Sequence, residues 1–412
     1  MDKKPEKLVP EVRFKGFTDD WEQRKLGEVI LDYKRKNNND RLPVLTSSFQ
    51  GIEYQEKHFG SQQKHDTSDY NVLPKEYMTY RNRSDNGYFR FNINNLGVTG
   101  IVSKFYPVFT TINTNKLFLA SYINHNHRLK NHFKVVSVGT SQHVLSLRNF
   151  KKTNLLFPSK DEQDQIGKFF NLLNRAITLQ QRKLEQLKQL KKAMLQQLFI
   201  DKKSKQPNLR FKIFNGDWEQ RKFLDEIDSI IDYRGKTPKK LGMSWSKTGY
   251  LALSTLNVKN GWIDKKSKDS HFGSQALYDI WMKNTPLYKD QVVFTTEAPM
   301  GNVAQIPDNE KYILSQRTIA FNPSQRLIDG FLADLLSTKN IQNKLMSLAT
   351  GGTAKGVSQK SLKFLKIAFP SNEEQNFIHK VIKLFQILIT LQQNKLTQLT
   401  TLKKYLLQNL FI

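Results

Sequence analysis

The chain repeats itself, and no other feature limits its fold as much. Arg13-Phe14-Lys15 through Asp20-Trp21-Glu22-Gln23-Arg24-Lys25 recurs as Arg210-Phe211-Lys212 through Asp217-Trp218-Glu219-Gln220-Arg221-Lys222, with ten of thirteen positions identical at an offset of 197. His58-Phe59-Gly60-Ser61-Gln62 returns as His271-Phe272-Gly273-Ser274-Gln275. Phe157 to Ile200 aligns with Phe369 to Ile412 without a gap, 25 of 44 positions being identical, and both copies end in Leu-Phe-Ile. The middles, about 26–150 and 223–360, diverge. Repeated edges around unlike interiors predict two copies of one scaffold acting on two different targets. The expected spans are a first globular domain (1–157), a long helix (158–200), a linker and second domain (201–369) and a second long helix (370–412).

The repeated terminal segments carry a heptad pattern. Apolar residues fall at Ile166, Phe170, Leu173, Ile177, Leu184, Leu187, Met194 and Leu198, and again at Ile378, Ile382, Phe385, Ile389, Leu396, Leu399, Leu406 and Leu410. The steps of four and three residues describe one coiled-coil seam per segment. Two seam positions are polar in each copy: Gln180 and Lys191, then Gln392 and Lys403. Parallel pairing would set Lys191 against Lys403, so antiparallel pairing is expected. Leu187, Leu190, Leu195 and Leu198 form an apolar edge beside the seam, as do Leu399, Leu402, Leu407 and Leu410. A two-helix coil leaves such edges open to a partner protein.

The middles read as mixed α/β. Short β-type runs lie at Pro43–Thr46, Leu96–Val102, Gln291–Thr295 and Tyr312–Leu314, and helical stretches at Phe118–Asn131 and Gly330–Thr350. The fold class expected is therefore α+β: two tandem α/β domains separated by two long helices that pair as an antiparallel coiled coil with pseudo-two-fold symmetry.

Charge narrows the partner. Sixty-five Lys and Arg against 37 Asp and Glu leave +28, a field suited to nucleic acid or an anionic surface. Apolar residues make up 38%, with 27 Phe and 14 Tyr, so the excess is not that of a disordered tail. The absence of Cys excludes disulfides and thiolate metal sites. No apolar run is long enough to span a bilayer, and Met1–Lys7 lacks the apolar core of a signal peptide, so a cytoplasmic protein is expected.

Catalytic motifs are missing. Gly235-Lys236-Thr237 resembles the end of a phosphate-binding loop, but Ile230 stands where the first Gly is required. There is no Pro-Pro pair for an amino-methyltransferase tetrad, no Glu-x-Lys nuclease triplet and no nucleophile elbow. His125, His127 and His132 read as exposed helix residues rather than metal ligands. The chain is expected not to be an enzyme.

Candidate readers of nucleic acid sit at strand ends. Thr79, Tyr80, Arg81, Asn82 and Arg83 end one strand; Arg and Asn can pair bidentately with guanine and adenine. Thr296 and Glu297 end another, and Glu accepts from cytosine N4. Gln316 and Arg317 end a third. Arg234, Lys236, Lys239 and Lys240 form a basic loop suited to phosphates.

Over essentially its whole length the chain resembles the specificity subunit of a type I restriction–modification enzyme. The resemblance is carried by the duplicated Asp20–Gly27 motif, by the Gly139-Thr140-Ser141-Gln142 and Gly351-Gly352-Thr353 stretches, and by the helix starts Pro158…Glu162-Gln163…Ile166 and Pro370…Glu374-Gln375…Ile378. It departs at Phe223, where the first half has Leu26. The resemblance implies two target-recognition domains, each reading half of a bipartite double-stranded DNA site, with the helices fixing the spacer. It implies that two modification (methyltransferase) subunits and restriction (translocase/nuclease) subunits assemble with it. No cofactor is expected in this chain: S-adenosylmethionine, ATP and Mg would belong to those partners. The competing reading is a coiled-coil scaffold binding RNA or DNA non-specifically. A membrane role is disfavoured because the polar helix positions mix Gln, Asn and Lys.

Overall fold

The computed structural model describes residues 9–38, 41–61, 66–201, 204–352 and 355–411. The Met1–Lys7 segment, Gln62, Thr353 and Ile412, used above, lie outside them. The chain divides into two compact units. One runs to Arg182 and takes in the chain from Gln393 onward; the other is Lys183–Gln392.

In the first unit the strand Glu22–Lys25 pairs antiparallel with Asn154–Phe157. A four-stranded sheet follows, in the order Ile30–Tyr33, Val108–Thr111, Met78–Tyr80, Phe91–Ile93. Aromatic side chains fill the space beneath it: Tyr80, Phe91, Phe109, Phe118, Phe133 and Phe150 are almost wholly buried in one cluster. The run expected at Leu96–Val102 is strand only at Gly100–Val102. Asn94 explains this, because its amide donates to Val98 O (2.8 Å) and its oxygen accepts from Leu96 N (3.2 Å), folding those residues into a turn.

The second unit repeats the plan. Glu219–Lys222 pairs with Lys366–Phe369, and a four-stranded sheet orders Ile227–Asp232, Thr318–Pro323, Val292–Thr295, Val303–Gln305. A separate cluster lies around Leu253, Trp281, Tyr312 and Ile313, where Tyr250–Leu253 runs parallel to Ile313–Leu314; the first unit has smaller ones around Leu45 and Val72.

Each expected helical stretch is two helices. Lys116–His125 stops at Asn126, whose side chain accepts from Leu129 N (3.0 Å) and starts His127–Val136. Asp329–Ser337 stops at Thr338, which caps Lys339–Leu348 through Ile341 N. Such caps satisfy the free N–H groups of a new helix and so favour a break.

The two long helices are Lys160–Gln197 and Asn372–Asn409. In the first unit the start of one packs beside the end of the other, with Phe170 stacked on Phe411 at 5.7 Å between centroids. In the second unit the end of the first packs beside the start of the second, where Lys191 donates to Gln386 Oε1 at 2.7 Å. Both contacts make the pairing antiparallel. Ile166, Phe170, Leu173, Leu184 and Ile378 are buried, while Ile177, Leu187, Leu195, Phe385, Ile389, Leu396, Leu399 and Leu407 are half-buried.

The expected apolar edge needs correcting. Leu198 and Leu410 belong to the cores. The apolar residues left in solvent are Leu172, Leu179 and Leu190 on the first helix, and Phe377, Leu384, Ile387, Leu388, Leu391, Leu402 and Tyr405 on the second.

The repeated motifs hold each unit to its helix. Arg13 grips Glu162 with Nε and a terminal nitrogen at 2.8 and 2.7 Å, and Arg210 grips Glu374 at 2.9 and 2.7 Å. Gln163 accepts from Asn115 N and donates to Pro158 O; Gln375 accepts from Ile328 N and donates to Pro370 O. These paired bonds account for the repetition of Arg, Glu and Gln, since a buried carboxylate needs a bidentate partner.

Candidate nucleic-acid interface

Both units carry the same backbone frame where the central strand of the sheet ends. In the first, Asn82 N donates to Phe105 O (2.9 Å) and Leu145 N donates to Asn82 O (2.9 Å). In the second, Thr296 N donates to Arg317 O (2.8 Å) and Val357 N donates to Thr296 O (2.9 Å). Asn82 therefore corresponds to Thr296, Phe105 to Arg317 and Leu145 to Val357. Three distant stretches of chain meet at each frame, and their side chains differ.

In the first unit the Arg83 guanidinium lies over the Phe105 ring, 3.9 Å from its centroid. The stack holds a cation flat without using its hydrogen-bond donors. Arg81, Arg83, Phe105, Gln142, Gln55 and Phe59 line an open cleft of about 500 Å³. Cations, amides and aromatic faces in one cleft are the groups that contact phosphates and base edges. Gly139 shapes one wall: it has φ +101°, and a Cβ there would stand 2.3 Å from Gln142 O.

Two expected readers are structural instead. Thr79 is buried and donates to Pro107 O (2.7 Å), and Tyr80 is buried and donates to Leu145 O (3.0 Å). Burial pushes the Tyr80 phenol up. A strand that ends at the surface is still covered on its core side, so only the residues past its last pairing emerge. Asn82 is half-buried, and Arg81 is exposed.

In the second unit Arg317 pairs with Glu297 (3.0 Å) at the position where the first unit stacks Arg83 on Phe105. Arg317 takes φ 64°, a left-handed conformation that costs a non-glycine residue energy and is held here by its carbonyl, which accepts from Thr296. Thr296, also expected as a reader, is buried by that bond. Gly356 runs beside Glu297, and a Cβ there would come within 3.1 Å of the Glu297 Cβ.

The basic loop joins this surface. Gln316 Nε2 donates to Lys236 O (3.4 Å), and the Lys236 ammonium sits 4.9 Å from the centre of the Tyr233 ring. Arg234 is committed to Asp232, which also accepts from Gln359 (2.7 Å). Burial opposes the Asp232 charge, but these bonds outweigh it and hold the carboxyl below its ordinary range. Lys239 is exposed, and Lys240 donates to Gly235 O (2.5 Å). Phe105, Asp232 and Gln359 carry no signal of this role in the sequence. Only Gln142 had a signal, in the Gly139–Gln142 stretch.

Of the three histidines, His127 and His132 are exposed as expected. His125 is half-buried, with Nδ1 2.9 Å from Ser121 O. Among the described residues no group of His, Asp and Glu is arranged to hold a metal, and no helix is long and apolar enough to cross a membrane.

Comparison with known proteins adds the following. The profile described as the type I restriction modification DNA specificity domain matches twice, at residues 18–189 and 215–401. A chain of Methanocaldococcus jannaschii, named as the MjaX type I restriction enzyme specificity subunit, is 23% identical over 305 residues, 71% of this chain and 67% of that one. The solved S subunit of a type I restriction–modification system from M. genitalium superposes with a TM-score of 0.61 at 13% identity, covering 98% of this chain and 99% of that one. A chain from a structure of complex assembly and conformational transition in a type I system gives a TM-score of 0.50 at 14% identity, covering 95% and 97%.

Proposed function

The chain belongs to the type I restriction–modification DNA specificity family, and from that premise we propose that each unit reads one half of a bipartite duplex site through its own strand-end frame. Specificity subunits are the non-catalytic members of type I complexes. One observation carries the reading: two equal backbone frames present unlike side chains, Arg83 on Phe105 in one and Glu297 with Arg317 in the other. A shared scaffold with exchanged tips suits two unlike half-sites. Arg81, Asn82, Arg83, Glu297, Gln316 and Arg317 are the proposed base-facing set. Lys236, Lys239 and Lys240 would hold phosphates, while Arg234 keeps that loop in shape through Asp232. Thr79, Tyr80 and Thr296 support the frame from within.

The long helices are proposed to set the spacer. Their solvent-exposed apolar residues, among them Leu179, Leu190, Leu384, Leu388 and Leu391, suit the docking of modification subunits. Restriction subunits would join that complex, and S-adenosylmethionine, ATP and Mg would be held by these partners. Exchanging residues 26–150 for the matching part of another specificity chain tests the reading. Sequencing of methylated adenines should show one half-site changed and the other kept; a change in both would overturn independent reading.

A further inference from the structure

Among the described residues, a group of basic side chains in the first unit has no ion-pair partner. Arg90 precedes Phe91, whose backbone N–H and carbonyl are both bonded to the Asn124 side chain at 2.9 and 2.7 Å. That clamp sets Arg90 beside His125. Lys130 lies on the next helix, and Lys403 comes from the second long helix, whose neighbours Leu399, Leu406 and Leu407 pack on the same core. All four side chains are half-buried. Arg90 Nε is shut off from solvent and has no hydrogen-bond partner. Burial depresses Arg90, Lys130 and Lys403, and the charge of Arg90 depresses both lysines further. His125 is pushed down to about 4, first by burial and then by Arg90, Lys403 and Lys130.

The second unit shows what the first lacks. Lys191 occupies the place of Lys403 in the gapless repeat, and it donates to Gln386 and feels the charge of Asp334. In the first unit Gln386 is replaced by the shorter Asn174, and the matching helical turn offers Ser121 and Tyr122, with no carboxylate. The strand registers Tyr80↔Phe91 and Phe294↔Val303 set Arg90 against Asn302, an uncharged residue that donates to Val258 O. One copy of the scaffold thus gives its half-buried lysine an amide partner with a carboxylate nearby. The other copy adds an arginine, a second lysine and an imidazole.

We propose that Arg90, His125, Lys130 and Lys403 form a phosphate-binding site in the first unit. A tetrahedral oxyanion offers several acceptors to a guanidinium fork and two ammonium groups, and it would bond the orphaned Arg90 Nε. The phosphate is either a free ion or one group of a DNA backbone. The site does not depend on base reading, so its failure and that of the proposed function are separable.

Titration of the full chain with inorganic phosphate, followed by calorimetry at fixed ionic strength, tests it. R90Q and K403Q should each weaken binding about tenfold, the loss of one charge-assisted bond, and K191Q in the second unit should leave it unchanged. Circular dichroism of each variant checks that it folds, and K403Q stands in should R90Q fail. Binding of a duplex across a salt series then separates the sources. If a backbone phosphate occupies the site, R90Q lowers the slope of log K against log salt by about one. If a free ion does, the slope holds while the phosphate response is lost. Equal phosphate binding by wild type, R90Q and K403Q, or none by wild type, overturns the proposal. The latter result with weakened capture of modification subunits by R90Q would assign the cluster to an acidic protein surface instead.

Discussion

Arg317 and Glu297 form an ion pair 3.0 Å long at the strand-end frame of the second unit, where the first unit stacks Arg83 on Phe105. The pair is open to solvent on both sides and adds little stability. Arg and Glu are also residue types that can pair with guanine and cytosine, so the contact would hold two proposed readers in a fixed arrangement.

Glu297→Gln should therefore change base preference at one position of one half-site. The expected shift in discrimination is about 1–3 kcal/mol, read by competition among duplexes varied in one half at a time. Equal losses across both half-sites would show Glu297 to be a support of the fold rather than a reader.

Lys239→Ala should behave differently. An exposed lysine that contacts phosphate has no sequence preference, so all duplexes should weaken alike and the salt slope should fall by about one. A shift confined to particular bases would place Lys239 at a base edge.

The sequence made the repeat, the long helices, their antiparallel pairing and the two α/β middles legible, because heptad spacing and gapless identity are local signals. The placement of the candidate strand-end residues was partly legible. Arg81, Arg83, Glu297 and Arg317 emerge at the frame, but Thr79, Tyr80 and Thr296 turn inward, since a β-type run does not say where its last paired residue lies. Phe105 and Gln359 were not legible at all. Their partners Arg83 and Asp232 stand 22 and 127 positions away, and only the sheet order brings them together. The helix edge was legible only in part: Leu190 and Leu402 are exposed as expected, and the rest differs for a related reason. Leu198 and Leu410 fit the heptad, yet each lies in a domain core, which the helix pattern alone does not reveal.

Arg13→Ala should destabilise the first unit by about 3 kcal/mol, because it strands the buried Glu162 carboxylate without its bidentate partner. Arg210→Ala should do the same to the second unit through Glu374, where Trp218 Nε1 (3.4 Å) remains as one donor. Urea unfolding followed by Trp fluorescence measures both, and a loss under 1 kcal/mol would put these pairs among ordinary surface contacts.

Asp329 gives the second unit a pH dependence. Burial raises its carboxyl to about 6, against the pull of bonds from Tyr288 and Val292. An unfolded Asp titrates near ~3.9, so between about pH 4 and pH 6 the folded state holds the proton more firmly. Stability from this group is present at low pH and is lost as pH rises through 6. Asp329→Asn should raise the melting temperature at pH 8 and change it little at pH 4. A gain of the same size at both values would mean that the charge of Asp329 is not the cause.

The helix pair provides the last test. Each long helix is 38 residues, so a rod of about 57 Å follows from the rise per residue. If that rod sets the distance between half-sites, lengthening it must lengthen the spacer and leave the bases alone. Seven residues added to each helix, one insert between Leu179 and Leu190 and its match between Leu391 and Leu402, preserve the seam because seven residues close about two turns. The pair grows by about 10.5 Å, equal to about three base pairs at 3.4 Å each. Mapping methylated adenines should show the same two half-sites separated by about three more base pairs. An unchanged spacer with an intact complex would remove the ruler role. Docking of modification subunits would then be the one proposed role left to the helices.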